Sequence, residues 1–109
     1  MRPQPAITRV VQALDSDFCR AFAEPARLEV ISALLQEGGA GDITCIAAHL
    51  SQDRSVVSRH LEVLLDAGVV RVEKQGRNRV YQLEGRPVID RFERIVQALR
   101  DAMPACCPD

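Results

Sequence analysis

The sequence predicts a single, mainly α-helical domain with a small β-hairpin, arranged as a winged helix-turn-helix. Apolar residues recur at helical spacing over most of the chain, and two short helical segments are separated by the polar residues 51–53. The period then changes from helical to two within residues 70–83. With 109 residues, one tyrosine, three phenylalanines and no tryptophan, the domain has to build a small core from aliphatic side chains.

The first two helices are predicted from their apolar spacing and their ends. A loose arm over residues 1–6 precedes a first amphipathic helix over residues 7–22. Pro25 fits the first turn of a second helix, because the N–H that proline lacks has no helical partner at that position. Gly38 and Gly39 are expected to end this helix.

The third and fourth helices form the predicted helix-turn-helix. Asp42 can cap a short third helix, and Ser51 or Asp53 can cap the fourth, which Gly68 closes. The inward stripe of the fourth helix consists of Val57, Leu61, Leu64 and Leu65.

The wing is predicted from two alternating segments, residues 70–73 and 80–83, on either side of the turn-prone residues 75–78. A last helix then opens at Pro87, and Pro104 is expected to stop it.

Residues 104–109 would form a cysteine-bearing tail beyond the last helix. The first and last helices both carry apolar stripes longer than a three-helix core with a hairpin can cover, and an excess apolar face implies a partner. A helical interface built from these two helices is therefore expected. The alternative is that both stripes pack on the monomer's own core.

The formal net charge of -1 hides two oppositely charged parts. Residues 54–81 contain six basic and three acidic side chains, which gives them a net charge of +3 and leaves -4 on the remainder. The positive part coincides with the fourth helix and the wing, and positive charge on these two elements is what binding to a DNA phosphate backbone requires.

Candidate DNA contacts lie in the first turns of the fourth helix, which a helix-turn-helix directs into the major groove. Arginine can bind guanine edges there, and serine can bind a base or a phosphate. These contacts are Arg54, Ser55, Ser58 and Arg59 on the helix, with Lys74, Arg77 and Arg79 around the turn of the wing. The alternative for the helix is an ordinary solvated face, but the basic hairpin that follows it favours double-stranded DNA.

The cysteine content and the apolar runs indicate the compartment. Four cysteines at irregular spacing, after an N-terminus without an apolar run, predict a cytoplasmic protein with reduced thiols rather than a disulfide scaffold. The apolar runs are too short to span a bilayer, so no membrane partner is expected.

Two segments, CRAFAEPARLEVISALL and SRHLEVLLDAGVVRVEKQGRNRVYQL, carry a family resemblance. They resemble the second helix, and the recognition helix and wing, of the ArsR/SmtB family of metal-responsive winged-helix repressors. The resemblance covers residues 18–83. It implies a homodimer, built by the first and last helices, that leaves its DNA operator when a ligand binds. It also implies that His60 lies on the recognition helix beside the contacts named above.

The family's best-known metal sites are not matched in this chain. Asp42 and Thr44 stand where the resemblance implies paired cysteines in the third helix. The positions that match the zinc site of the last helix cannot hold zinc, since they supply a single carboxylate and no histidine. These positions are Asp90, Phe92, Met103 and Cys106.

The best candidate effector site is the adjacent pair Cys106 and Cys107. Neighbouring thiolates can bind one soft, thiophilic centre such as trivalent arsenic, and no permanent cofactor is expected. Inorganic arsenite takes three sulfurs, for which Cys19 of the same or the other subunit is the candidate, whereas a methylated trivalent arsenical suits the pair alone. Cys45 is expected to be a small core or half-buried residue.

Two further hypotheses remain open at this point. The same fold could use its thiols as a redox or persulfide switch, a chemistry open to exposed cysteines. A thiol enzyme or a metal carrier is the weaker alternative, because adjacent cysteines are not the C-x-x-C spacing of a dithiol oxidoreductase. No histidine lies near the pair in sequence to activate a nucleophile.

Overall fold

The core lies where the four central helices meet a small antiparallel sheet. The structure, a computed structural model, describes residues 5–106. As predicted, the chain is mainly helical with a β-hairpin. Its elements are α1 Pro5–Ala13, α2 Ser16–Ala21, α3 Pro25–Gln36, β1 Ala40–Asp42, α4 Ile43–Ala47, α5 Arg54–Asp66, β2 Val70–Gln75, β3 Asn78–Leu83 and α6 Gly85–Cys106. The largest fully buried side chains are Phe18, Val30, Leu34, Ile46, Val57, Leu61, Leu64, Val69 and Val70.

The wing hairpin confirms the predicted turn. β2 and β3 pair in antiparallel register from Val70 opposite Leu83 to Gln75 opposite Asn78, which leaves a two-residue loop. Gly76 opens that loop with φ of 64°, a conformation that a two-residue hairpin turn requires and glycine adopts without steric cost.

One strand was not predicted. β1 pairs with the other side of β3, with Ala40 opposite Gln82, and gives the sheet order β1-β3-β2. The strand is three residues long and contains a glycine, so it has too few positions to show an alternating pattern.

The first predicted helix is two helices. The side chain of Asp15 accepts the backbone N–H groups of Asp17 at 2.9 Å and Phe18 at 3.3 Å, which starts α2 as a separate N-capped helix. α1 already begins at Pro5, within the expected loose arm of residues 1–6; residues 1–4 lie outside the described part of the chain.

The last helix is longer than predicted at both ends. α6 begins at Gly85 and continues through Pro104 to Cys106, so the expected tail is helical as far as Cys106. Proline removes one hydrogen bond from a helix, and Pro104 does so two residues before the end of α6, so the loss is confined to its exposed last turn.

α1 and the second half of α6 form a two-helix arm that extends from the core. The protomer measures 54 × 26 × 23 Å and its radius of gyration is 17.1 Å, against about 13 Å for a compact domain of this length. α1 has no buried residue, and in α6 only Ala98 and Ala102 are buried among the described residues.

Large apolar side chains recur at helical spacing along α1 and the whole of α6 and remain exposed; this surface is termed the arm face, and the monomer's own core does not cover it. Its residues are Ile7, Val11, Leu14, Ile89, Phe92, Val96, Leu99 and Met103, each between 38% and 69% exposed.

The first half of α6 fixes the arm to the domain. The Phe92 ring packs against the rings of Phe18 and Phe22, with centroid distances of 4.9 and 5.1 Å. Arg91 donates to the carbonyl of Ala67 at 3.0 Å and to the Asp15 carboxylate at 3.2 Å. None of the described helices is both long and apolar enough to cross a lipid bilayer.

Candidate nucleic-acid interface and cysteine sites

The helix-turn-helix consists of α4, the connecting residues 48–53 and α5. The carboxylate of Asp42 caps α4 by accepting the backbone N–H of Cys45 at 2.8 Å. This hydrogen bond is the main reason that the pKa of the Asp42 carboxyl lies below its usual value. Of the two predicted caps of α5, Asp53 occupies the N-cap position, although its side chain makes no capping hydrogen bond.

Two side chains of the turn tie it to α3: His49, whose Nε2 lies 2.6 Å from the carboxylate of Glu37 at the C-cap of α3, and Gln52. The amide of Gln52 donates to the carbonyl oxygen of Ala26 at 3.1 Å and to the carboxylate of Glu29 at 3.2 Å. Both acceptors belong to α3, so the orientation of α5 is coupled to that of the helix it crosses.

The outward side of α5 carries the predicted contacts. Arg54, Ser55 and Arg59 are exposed and Ser58 is half-buried, while Val57, Leu61 and Leu64 on the other side enter the core. The first two turns of α5 therefore present two guanidinium groups and two hydroxyl groups to solvent, which is chemistry that suits bases and phosphates.

His60 differs from the other predicted DNA contacts on α5, because it is buried. Its residue exposure is 8%, and it lies on the inward side of α5 in the same depression as Glu24 and Arg27. Residues 57, 60, 61 and 64 have the spacing of one helix face, so His60 shares the buried stripe. Its imidazole therefore exposes too little surface to match the other predicted contacts.

The wing places cations on the side of the molecule that also carries Arg54 and Ser58 of α5. Lys74 and Arg79 are cross-strand neighbours, and Arg77 follows Gly76 in the turn; all three cations are exposed. The guanidinium of Arg79 lies 5.5 Å from the centre of the Tyr81 ring, within the range of a cation–π contact.

Arg71 differs from the other wing cations. Its guanidinium contacts the carboxylates of Glu84 at 3.2 Å and Glu73 at 3.7 Å, and it also donates to the side-chain oxygen of Gln82 at 2.9 Å. Arg71 therefore forms part of an internal network on the strand and is not a free cation.

A groove of about 320 Å³ separates α5 from the wing. Arg54 lies on the helix side, where its guanidinium donates to the hydroxyl of Thr44 at 3.0 Å, and Arg77 and Arg79 lie on the wing side. Thr44 was not predicted to lie on this surface, because its contact with Arg54 depends on how α4 and α5 cross.

The cysteines occupy three separate places. Cys19 in α2 is exposed, and so is Cys45 in α4, which corrects the expectation that Cys45 is a core residue. The carboxylate of Asp42 accepts a hydrogen bond from the Cys45 thiol and raises its pKa. Cys106 is the last residue of α6, and Cys107 lies outside the described residues.

Cys19 is distant from the end of α6 within one protomer. Phe92 packs against Phe18, the neighbour of Cys19, and α6 continues for 14 more residues to Cys106, or about 21 Å at 1.5 Å per residue. This course of the α6 backbone favours Cys19 of the other subunit over Cys19 of the same subunit as a third ligand. Among residues 5–105, whose side chains the structure describes, no group of three or more metal-ligating side chains lies together.

Comparisons of the sequence find regulators. The family model described as "Bacterial regulatory protein, arsR family" matches residues 24–72. An uncharacterised helix-turn-helix transcriptional regulator of Methanocaldococcus jannaschii is 30% identical over 82 residues, which are 75% of this chain and 86% of that protein. A transcriptional repressor SmtB homologue of Synechocystis is 28% identical over 100 residues, which are 91% of this chain and 74% of the homologue.

Solved structures agree in fold. A possible transcriptional regulator for arsenical resistance has a TM-score of 0.58 and 33% identity, over 80% of this chain and 83% of that one. A homodimeric winged helix-turn-helix DNA-binding domain from Mycobacterium bovis has a TM-score of 0.64 and 22% identity, over 92% of this chain and 89% of that domain. These relatives are regulators rather than enzymes, which excludes the thiol-enzyme alternative. The chain belongs to the arsR family of bacterial regulatory proteins and is a transcriptional regulator with a winged helix-turn-helix DNA-binding fold.

Proposed function

We propose that the chain is a cytoplasmic homodimeric repressor that leaves its operator when a thiophilic metalloid, such as trivalent arsenic, binds Cys106 and Cys107. The observation that carries this proposal is the course of α6. The helix begins at the wing, passes along the core, forms most of the arm face and ends at the first of the two adjacent cysteines. A ligand at its end would act on the helix that joins the two protomers.

The arm face supports dimer formation. A two-fold axis brings the same surface of two protomers together, and an apolar face along α1 and α6 is self-complementary in that arrangement. The related Mycobacterium bovis domain is homodimeric. Two copies of α5 would then bind adjacent half-sites about one turn of DNA apart.

The exposed side of α5 supports DNA contact, and Arg59 is its most informative residue. Replacing Arg59 with Ala is expected to weaken operator binding by about 1–3 kcal/mol, or roughly 5-fold to 150-fold, because one arginine contact with DNA is lost. Fluorescence anisotropy with a labelled duplex measures the change. Arg71→Ala is the matched control, since Arg71 is engaged by Glu84. An equal loss in both variants would contradict the assignment of Arg59.

The effector chemistry rests on the adjacent thiols. Two neighbouring thiolates bind soft, thiophilic ions in preference to hard ones. The 33% identical solved relative is a possible transcriptional regulator for arsenical resistance, which favours an arsenical over other soft ions. We propose two-sulfur binding of methylated trivalent arsenicals by the pair. For inorganic arsenite we propose a third sulfur from Cys19 of the partner subunit, because the α6 backbone runs on for 14 residues after Phe92, which packs beside α2.

The ligand number can be tested with one substitution. Cys19→Ser is expected to abolish release of DNA by inorganic arsenite and to leave release by the trivalent methylarsenical unchanged. Titrations of the protein–DNA complex with each arsenical measure the two responses. An unchanged arsenite response in this variant would eliminate Cys19 as a ligand.

The function itself is tested by gel retardation of DNA from upstream of the gene. The purified protein should retard this DNA, and arsenite or the methylarsenical should abolish the retardation under reducing conditions. Peroxide and polysulfide serve as controls. Release by these oxidants, with no effect of arsenicals, would replace the metalloid proposal with the redox or persulfide switch.

A further inference from the structure

A carboxylate interrupts the basic surface at the groove. Glu62 lies on the exposed side of α5, one turn after Ser58, and Asp66 follows one turn later. An exposed carboxylate beside a DNA-binding groove repels phosphates and lowers the affinity for DNA. Its presence there therefore suggests a second role.

Glu62 contacts the wing across the groove. Its carboxylate oxygen Oε1 lies 3.7 Å from Nη2 of Arg79, and about half of each side chain is exposed. Arg77, which lines the groove, and Lys74, the cross-strand neighbour of Arg79, have no ion pair among the described residues. Of these three wing cations, the Glu62 carboxylate therefore pairs with Arg79 alone. Glu62 itself lies on α5, the proposed recognition helix.

A phosphate of DNA and the carboxylate of Glu62 would compete for the same guanidinium. Both are oxyanions that accept hydrogen bonds from arginine, and phosphate binds it as a bidentate partner. The Arg79 side chain remains half-exposed, so a phosphate can approach it from solvent.

We propose that Glu62 is a positioning residue that holds Arg79 against α5 in the free protein and releases it to a phosphate when DNA binds. The inference rests on DNA binding by α5 and the wing, as proposed above. The exchange replaces one ion pair by another, so it lowers the affinity for DNA of any sequence and leaves base recognition to other residues. In the free protein, the Glu62–Arg79 ion pair also connects the wing to α5.

The test is the affinity of Glu62→Gln for a random duplex and for upstream DNA over a series of salt concentrations. An exposed ion pair has a modest free energy, so we expect binding of both duplexes to tighten by about twofold to fivefold. The dependence of log Kobs on log salt should become steeper, by up to about one unit, because release of Glu62 no longer opposes the counterion release by Arg79.

Two controls separate this exchange from a general charge effect. Asp66→Asn removes the same charge from the same face of α5, where no described ion pair is lost, and should change affinity less than Glu62→Gln. In an Arg79→Gln background, Glu62→Gln should have no further effect, because the coupled partner is absent. Thermal unfolding confirms that the variants fold.

Three outcomes would overturn the inference. These are an equal gain in Asp66→Asn, a gain that persists without Arg79, and a loss of affinity in Glu62→Gln that is confined to upstream DNA, which would make Glu62 a base-reading residue. The random duplex requires no operator. Failure to retard upstream DNA would therefore count against the proposed repressor function and leave the Glu62 result interpretable.

Discussion

A Leu99→Asp variant is expected to be monomeric and to bind operator DNA at least 100-fold more weakly than the wild type. Leu99 lies in the middle of the arm face, is 46% exposed and belongs to the flank that we propose to be buried between two protomers. In the dimer, the two-fold axis would bury two carboxylates without partners, at a cost of several kcal/mol. A monomer contacts one half-site, so it also loses the combined affinity of two linked recognition helices.

Sedimentation velocity measures the oligomeric state, and anisotropy titrations measure the binding. Gln97→Glu is the matched control, because Gln97 is exposed on the same helix but is not part of the arm face; it lines the groove between α1 and α6 with Arg94 and Asp101. A Leu99→Asp protein that remains dimeric would show that the arm face is not the interface.

The second large effect is expected for the double substitution Cys106→Ser and Cys107→Ser. This variant should bind operator DNA as the wild type does but should require more than 100-fold more methylarsenical for release, because serine hydroxyls do not replace thiolates as ligands of a soft ion. The response is measured as the arsenical concentration that releases half of the labelled duplex.

Cys45→Ser is the control for this experiment. Cys45 is also exposed, but it lies in α4 and donates to the carboxylate of Asp42, which raises its thiol pKa and reduces its thiolate fraction. The variant should respond as the wild type does. Full release of the double variant by the methylarsenical would remove Cys106 and Cys107 as the effector site.

Features with a strong local signal were predictable from the sequence. The hairpin turn follows from Gly76 between two alternating segments, and the end of α5 follows from Gly68, which adopts φ of 76°. The split of the net charge between residues 54–81 and the remainder identified the surface on which the exposed cations lie.

Features that depend on tertiary contacts were not predictable in the same way. β1 forms only because β3 offers a free edge, and the Thr44–Arg54 hydrogen bond depends on the crossing of α4 and α5. The exposure of Cys45 was missed because a small thiol beside an apolar residue fits either side of a short helix. The break before α2 and the position of His60 could have been predicted, from the capping ability of Asp15 and from the spacing of His60 with Val57 and Leu64.

The central claim is that one dimer either holds operator DNA or holds metalloid at its C-terminal cysteines. Native mass spectrometry of the reduced protein–operator complex, titrated with a trivalent methylarsenical, tests it most directly because it measures protomers, duplex and arsenical in the same species. We predict a complex of two protomers with one duplex that converts to free duplex and a dimer carrying one arsenical per protomer. A fully arsenical-loaded dimer that still holds the duplex would contradict the claim, as would a complex that binds no arsenical.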